Sequence, residues 1–215
     1  MSVSITRRRF ASLLATSAVS LACGLDPRQA QAPKPASSPT PLPSIEPATG
    51  DASVGSGFDA ELHQREAAYA QLAVSTATSS QLGPFTQKLA NWPLQGRVSS
   101  PFGPRWGGFH NGVDVAAPLY TPVRAAARGQ VVVAGKPFLA YGDTASIVII
   151  AHGNSFATLY AHLNDERPVV AKVGEIVEAG QVIAFNGSTG WSTGPHVHFT
   201  TVLNARAVDP TQFLP

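Results

Sequence analysis

The second half of the chain, residues 92–215, consists of short β-rich runs separated by glycines. Four of these runs are apolar and are bounded by turn residues: QVVVAG, SIVIIAHG, FATLYAHL and QVIAFNG. Runs of this length and composition predict β-strands joined by tight turns. The sequence therefore predicts a mainly β fold, in which a small antiparallel sheet folds over on itself.

An internal similarity within this region raises a second possible function. AARGQVVVAG (residues 126–135) and VEAGQVIAFNG (residues 177–187) each place Gln-Val and an apolar strand after a glycine turn. This duplicated hairpin pattern is also typical of lipoyl- and biotin-carrier domains. Such carriers need a lysine at a hairpin tip, and neither Lys136 nor Lys172 has that context. A carrier function is therefore disfavoured.

The N-terminus has the pattern of an export signal. Three arginines and a phenylalanine, within TRRRF at residues 6–10, precede the short apolar stretch ASLLATSAVSLA. A basic segment followed by an apolar core of this length is typical of a signal peptide. The arginine pair favours the twin-arginine route over an ordinary Sec signal. We therefore expect residues 1–22 to be a twin-arginine-like signal peptide.

Cys23 is the only cysteine of the chain, so no intramolecular disulfide can form. It closes the stretch VSLACG, which resembles the site at which bacterial lipoproteins are lipidated. The competing interpretation is cleavage after Ala32, where Pro33 would follow the cut. We expect Cys23 to be lipidated, which predicts an exported protein of the cell envelope, either periplasmic or held at the membrane by a lipid anchor.

Two segments separate Cys23 from the β-rich region. Residues 23–57 are dense in Pro, Ser, Thr and Ala and predict an extended, disordered tether. Residues 58–91 predict a helical segment, with strong helix formers in 58–74 and a second short helix over 85–91. Residues 92–215 then form the domain that carries the chemistry.

Charge and hydropathy exclude two classes of partner. From Cys23 onward the chain has 12 Lys and Arg residues against 13 Asp and Glu residues, a net charge of −1. No basic stripe indicates a nucleic-acid surface. No apolar run reaches the roughly 20 residues that a membrane-spanning helix needs. We therefore expect no nucleic-acid partner and no membrane contact besides the lipid anchor.

Histidines and one aspartate make up the candidate site. His110 precedes Asp114 by four residues, with Gly112 between them to allow a tight turn. His162 lies two residues after Tyr160 on a predicted strand, so these two residues are expected to share one strand face. His196 and His198 are also two residues apart and are expected to share a face of another strand. Imidazole and carboxylate are both good zinc ligands. We interpret His152 as a turn residue or as a residue that supports the site without binding the metal, and Asp209 as fixing a C-terminal turn.

These motifs together resemble a known family, the lysostaphin-type zinc metallopeptidases, often called the LytM domain. The matching stretches are SPFGPRWGGFHNGVDVAAP, LYAHL, GSTGWSTGPHVHF and AVDPTQFLP, which lie within residues 92–215. The resemblance implies that His110, Asp114 and His198 bind one zinc ion per domain, and that His162 and His196 are catalytic. Thr200 departs from the family pattern, which commonly has glutamate at that position.

The resemblance also implies a substrate, bacterial peptidoglycan, and a reaction, hydrolysis of a peptide bond by metal-activated water. Three protein ligands leave one position open at a tetrahedral zinc ion, as in catalytic sites. The chain has no H-E-x-x-H motif, so histidine is the natural base. Tyr160 and Arg105 are weaker candidates for substrate binding; Tyr160 is equally expected in the core with its hydroxyl hydrogen-bonded, and a structural role in steadying a loop is favoured for Arg105. The alternative is a non-catalytic LytM-type regulator that activates wall amidases. The sequence does not identify the bond that is cut or the oligomeric state.

Overall fold

The computed structural model describes residue 82 and residues 85–105, 108–139, 142–167 and 169–215. The predicted signal peptide, Cys23, the tether and the helix expected at 58–74 lie outside the described residues. Over the described ranges, we find no helix with the length and apolar character needed to cross a membrane.

Twelve strands and one short 3₁₀ helix are found in the described part of the chain. The helix, Pro210–Gln212, begins after Asp209, whose Oδ1 accepts the Thr211 backbone N–H at 2.9 Å. Asp209 therefore fixes the C-terminal turn, as the sequence predicts. The strands are β1 Arg97–Ser100, β2 Gly103–Arg105, β3 Gly108–His110, β4 Val113–Ala116, β5 Pro122–Arg124, β6 Gly129–Gly135, β7 Ile147–Gly153, β8 Phe156–Ala161, β9 Ile176–Val177, β10 Val182–Phe185, β11 His196–Leu203 and β12 Arg206–Val208.

The strands form one large antiparallel sheet and two small ones. The large sheet has eight strands, in the order β1-β4-β11-β8-β7-β6-β9, with β12 also paired to β11. Strand β5 pairs with β10, and β2 pairs with β3. All of these pairings are antiparallel. The prediction of a mainly β, antiparallel domain is confirmed.

Apolar residues cover both faces of the central strands. Along β7, Val148 and Ile150 contribute to one buried cluster, while Ile147 and Ile149 contribute to the other. Because successive side chains of a strand point to opposite faces, a strand buried on both sides needs a continuous apolar run. This is why the segment IVII is uniformly apolar rather than alternating, and it makes the centre of the sheet a rigid support for the residues at its ends.

The two similar segments pair with each other. Gly129, in β6, lies opposite Val177, in β9, and strand β5, which precedes the first segment, pairs with β10 of the second. Between them, the Ala125 N–H donates to the Gln181 carbonyl at 2.9 Å, and the Gly180 N–H donates to the Ala125 carbonyl at 2.8 Å. The sequence similarity therefore reflects two strand–turn–strand units that form hydrogen bonds to each other.

The helix predicted over residues 85–91 is wrong. The structure has only bends and irregular backbone there. The Leu89 N–H donates to the Phe213 carbonyl at 2.9 Å, and the Ala90 N–H donates to the Ala126 carbonyl at 2.8 Å. These long-range hydrogen bonds use backbone groups that a helix would pair internally, so tertiary contacts override the local helix propensity.

A chain of buried polar groups crosses the sheet. His152 is buried in β7, so it is not a turn residue, and its Nδ1 donates to the Arg128 carbonyl at 2.8 Å. Its Nε2 lies 2.8 Å from Thr158 Oγ1, which lies 3.1 Å from the Tyr160 hydroxyl. The Tyr160 oxygen accepts the Ala126 N–H at 2.8 Å. Burial lowers the pKa of His152 to about 4, and the hydrogen bond to Arg128 opposes this only in part.

We expect the fold to lose stability in acid because the His152 ring is buried in its neutral form. The unfolded chain protonates this ring near pH 6.5, whereas the folded chain does so only near pH 4, so stability falls as the pH falls through that window. The loss amounts to roughly 3 kcal/mol from this ring. We measure the free energy of unfolding with denaturant at pH 7 and at pH 4. Between these two values it should fall by about this much more for the wild type than for His152→Gln. Identical pH dependence in the two proteins would contradict the assignment.

Candidate metal centre

Three strands bring two histidines and one aspartate together. His110 ends β3, Asp114 lies in β4, and His198 lies in β11 directly opposite Asp114 in the strand register. Gly112 allows its backbone to approach strand β11 closely, since a Cβ there would lie 2.6 Å from the Phe199 carbonyl oxygen and 2.8 Å from the His198 ring. Gly112 is thus required for close contact with β11.

The three side chains converge through one atom each. His110 Nε2 lies 3.1 Å from Asp114 Oδ1 and 3.0 Å from His198 Nδ1, and the last two atoms are 2.9 Å apart. All three residues are buried. Among the described residues, they are the one group of three or more His, Cys, Asp or Glu side chains placed to hold a metal ion.

The outer contacts of the two histidines fix where their protons lie. His110 Nδ1 donates to the Pro101 carbonyl at 2.8 Å. His198 Nε2 donates to Asn111 Oδ1 at 3.1 Å. The neutral rings therefore present lone pairs from His110 Nε2 and His198 Nδ1, beside the oxygen of Asp114. Three acceptor atoms at these distances repel one another unless a cation, either a proton or a metal ion, lies among them.

The donor set fits zinc. Two imidazole nitrogens and a carboxylate oxygen are ligands that zinc favours, and each histidine is oriented by a hydrogen bond from its other nitrogen, as is usual for metal-binding imidazoles. A tetrahedral zinc ion separates its nitrogen and oxygen ligands by roughly 3.4 Å, close to the spacing found here. The residues present therefore fit a zinc ion.

Electrostatics keep the carboxylate ionised. Burial of Asp114 favours its neutral form, but protons that His110 and His198 carry on the inner nitrogens when no metal is bound donate hydrogen bonds to the carboxylate and add positive charge, and these effects hold the pKa of Asp114 well below its usual range. Asp114 is therefore available as an anionic ligand, and a metal ion entering the site would displace protons from the imidazoles.

Two further histidines lie beside this cluster. His196, in β11, shares a strand face with His198, and its Nε2 lies 3.8 Å from Asp114 Oδ1. The ring centroid of His162 lies 4.7 Å from that of His196 and 6.1 Å from that of His198. The structure thus brings all five residues expected from the sequence into one site.

One loop orients both of these rings. The Thr189 carbonyl accepts the His162 Nδ1–H at 2.8 Å, and the Gly194 carbonyl accepts the His196 Nδ1–H at 2.8 Å. The loop begins at Gly187, where a Cβ would lie 2.4 Å from the Asn164 backbone nitrogen. Sequence reasoning missed these carbonyl contacts, because every residue type supplies a carbonyl and the pattern GSTGWSTG indicates only a loop.

The expected placement of His162 and Tyr160 on one strand face is wrong. Strand β8 ends at Ala161, and His162 has a φ of 61°, which turns its side chain away from the alternation of the strand. Tyr160 is fully buried against Phe199, and its hydroxyl oxygen accepts the Ala126 N–H. Tyr160 therefore does not reach the site as a substrate ligand.

Arg105, the other candidate for substrate binding, does lie at the centre. Its Nη1 donates to Ser100 Oγ at 2.6 Å and lies 3.5 Å from Asp114 Oδ2. Its contacts are thus to a metal-ligand candidate and to the neighbouring strand β1. Cys23, the predicted lipidation site, lies outside the described residues.

Comparison with curated proteins gives two informative relatives. The chain is 42% identical over 121 residues to the DD-carboxypeptidase/endopeptidase Mpg of Neisseria meningitidis, covering 53% of this chain and 26% of Mpg. It is 36% identical over 141 residues to the uncharacterized lipoprotein YgeR of Escherichia coli, covering 66% of this chain and 53% of YgeR. The chain thus spans about a quarter of Mpg and about half of YgeR.

Solved structures of the antimicrobial peptidase lysostaphin from Staphylococcus simulans are also similar. Its catalytic domain is 33% identical, with coverage of 54% of this chain and 90% of that domain and a TM-score of 0.48. A longer lysostaphin chain is 33% identical, with coverage of 61% and 54% and a TM-score of 0.52. The antiparallel fold is therefore shared with lysostaphin.

A family model also matches this region. The model of peptidase family M23 matches residues 108–210, a range that contains all five residues of the site. The chain therefore belongs to peptidase family M23.

Proposed function

We propose that this protein is a zinc-dependent endopeptidase that hydrolyses peptide cross-links or stem peptides of bacterial peptidoglycan. The observation that carries the proposal is the convergence of His110 Nε2, Asp114 Oδ1 and His198 Nδ1, with two further imidazoles beside them. Membership of family M23 and the resemblance to lysostaphin-type enzymes support peptidoglycan as the substrate class.

The metal would be held by His110 Nε2, Asp114 Oδ1 and His198 Nδ1. A zinc ion bound there would supply Lewis acidity, which activates a water molecule and polarises the carbonyl of the scissile peptide bond. The hydrogen bonds from His110 to Pro101 and from His198 to Asn111 orient both rings and place the proton of the neutral imidazole on the nitrogen that faces away from the metal position.

His162 and His196 would move the protons of the reaction. Each donates its Nδ1 proton to a loop carbonyl, so the neutral ring carries its lone pair on Nε2. Hydrolysis requires one proton to be taken from the attacking water and one to be given to the leaving amine. Histidine suits both tasks near neutral pH. Side by side, with ring centroids 4.7 Å apart, the two imidazoles supply this acid–base pair.

The competing function is that of a non-catalytic regulator of wall amidases. Regulators of this kind are expected to lack part of the metal set, whereas here the three ligand candidates and both proton carriers are present in one site. This completeness favours the enzyme.

We propose further that the protein acts in the cell envelope, held at the membrane by a lipid on Cys23. The apolar stretch ending in VSLACG supports this location, as does the similarity to YgeR, which is named as a lipoprotein. A lipid anchor followed by the Pro- and Ser-rich segment would let the domain reach the wall from the membrane.

Cys23→Ser tests the anchor. The substitution removes the thiol to which the lipid attaches, so the protein should move almost completely from the membrane fraction to the soluble fraction, or remain unprocessed, while the domain stays folded. Fractionation and immunoblotting of cells expressing each form measure this. Unchanged association with the membrane would reject the anchor and leave the peptidase proposal standing.

Single alanine substitutions separate metal ligands from proton carriers. His198→Ala should bind zinc far more weakly and lose thermal stability, because the bound metal stabilises the folded state. His196→Ala and His162→Ala should keep zinc while turnover falls by on the order of a hundredfold or more. Bound zinc is measured by elemental analysis, and cleavage by mass spectrometry of digested muropeptides. His63→Ala, upstream of the domain, is the matched control and should behave as wild type.

Two outcomes would contradict this assignment. If His198→Ala keeps its zinc while His196→Ala loses it, the roles of the two histidines are interchanged. If the wild type binds zinc but cleaves no muropeptide and instead activates an amidase, the protein is a regulator.

A further inference from the structure

The two oxygens of the Asp114 carboxylate face different partners. Oδ1 lies 3.1 Å from His110 Nε2 and 2.9 Å from His198 Nδ1, so it belongs to the ligand cluster. Oδ2 lies 3.5 Å from Arg105 Nη1. The carboxylate is therefore divided between a metal-binding side and a guanidinium side.

Three chain segments hold the guanidinium in place. Arg105 ends β2, whose hairpin partner β3 carries the ligand His110. Its Nη1 also donates to Ser100 Oγ at 2.6 Å, and Ser100 lies opposite Asp114 in the pairing of β1 with β4. Only about a quarter of the Arg105 side chain is exposed, at 25%. The Arg105 guanidinium is therefore held in a defined position at the candidate metal centre.

We propose that Arg105 is a positioning residue that restricts Asp114 to binding the metal through Oδ1 alone. This inference rests on the proposed zinc-dependent function. A carboxylate binds a metal ion through one oxygen or through both. By holding Oδ2, Arg105 prevents Asp114 from binding the metal through both oxygens. One coordination position of the metal then stays open for water and the substrate carbonyl.

The sign of the charge distinguishes this role from a merely structural one. The guanidinium attracts the carboxylate but repels a metal cation nearby. Arg105 therefore does not act by raising zinc affinity, and its removal should leave zinc bound. A residue that only held β1, the hairpin and β4 together would have the opposite effect, because its loss would disorder the ligands and release the metal.

The experiment compares the full chain with Arg105→Ala, Arg105→Gln and Arg105→Lys. Arg206→Ala is the matched control, since Arg206 is exposed in β12 and pairs with Leu203, five residues beyond His198 along β11. Each protein is loaded with Co²⁺ in place of zinc, and its visible absorption is recorded, since the intensity falls as the coordination number of cobalt rises. Zinc affinity by chelator competition, thermal stability, and kcat and KM for a defined muropeptide complete the comparison.

We expect the cobalt absorption of the alanine and glutamine variants to fall clearly below that of the wild type. Zinc should remain bound in both, while kcat falls by about 10- to 100-fold and KM changes little. Arg105→Lys keeps the positive charge but lacks the planar guanidinium. Its cobalt absorption and its kcat should lie between those of the alanine variant and the wild type. Arg206→Ala should match the wild type throughout.

The inference is overturned if all variants give the wild-type cobalt spectrum, or if the alanine and glutamine variants lose zinc together with thermal stability. In both cases a wild type that binds zinc and cleaves muropeptides leaves the proposed function intact. A wild type that binds neither zinc nor cobalt overturns the proposed function itself and the inference that rests on it.

Discussion

The site depends on the mutual approach of three lone pairs, from His110 Nε2, Asp114 Oδ1 and His198 Nδ1, at 2.9–3.1 Å. Such an arrangement is repulsive without a cation, so the fold must impose it. The register of β4 against β11 sets Asp114 opposite His198, and the absence of a side chain at Gly112 allows the adjacent backbone to approach. The sheet, apolar on both faces at its centre, supplies the rigidity that keeps the three atoms together.

Hydrogen bonds to the surrounding residues fix the orientation of the four histidine rings and the nitrogen that carries the proton in each neutral ring. Outer hydrogen bonds of His110 and His198 aim their lone pairs inward, while loop carbonyls of Thr189 and Gly194 do the same for His162 and His196. Four imidazoles thus point their acceptor nitrogens in fixed directions by one device, the donation of the opposite ring proton to an oxygen. The proposed difference between ligand and proton carrier rests on position, since His110 Nε2 and His198 Nδ1 lie within 3.1 Å of Asp114 Oδ1 while His196 Nε2 lies 3.8 Å from it.

Much of this organisation could be predicted from the sequence, for physical reasons. The apolar runs bounded by glycines identified strands β6, β7, β8 and β10, and the two-residue spacing of His196 and His198 placed them on one face of a strand. The position of His162 could not be predicted, because a positive φ just beyond β8 breaks the alternation. Residues 85–91 formed no helix because their backbone groups pair with distant segments, and local propensity contains no information about such partners.

Anomalous diffraction at the zinc absorption edge, from crystals of the zinc-loaded protein, tests the proposed ligand set most directly. We expect one strong peak, about 2.0–2.2 Å from each of His110 Nε2, Asp114 Oδ1 and His198 Nδ1. The rings of His162 and His196 should lie beyond bonding distance of that peak. A peak bonded to either of these rings, or no peak among the three ligand atoms, would contradict this assignment of the metal ligands.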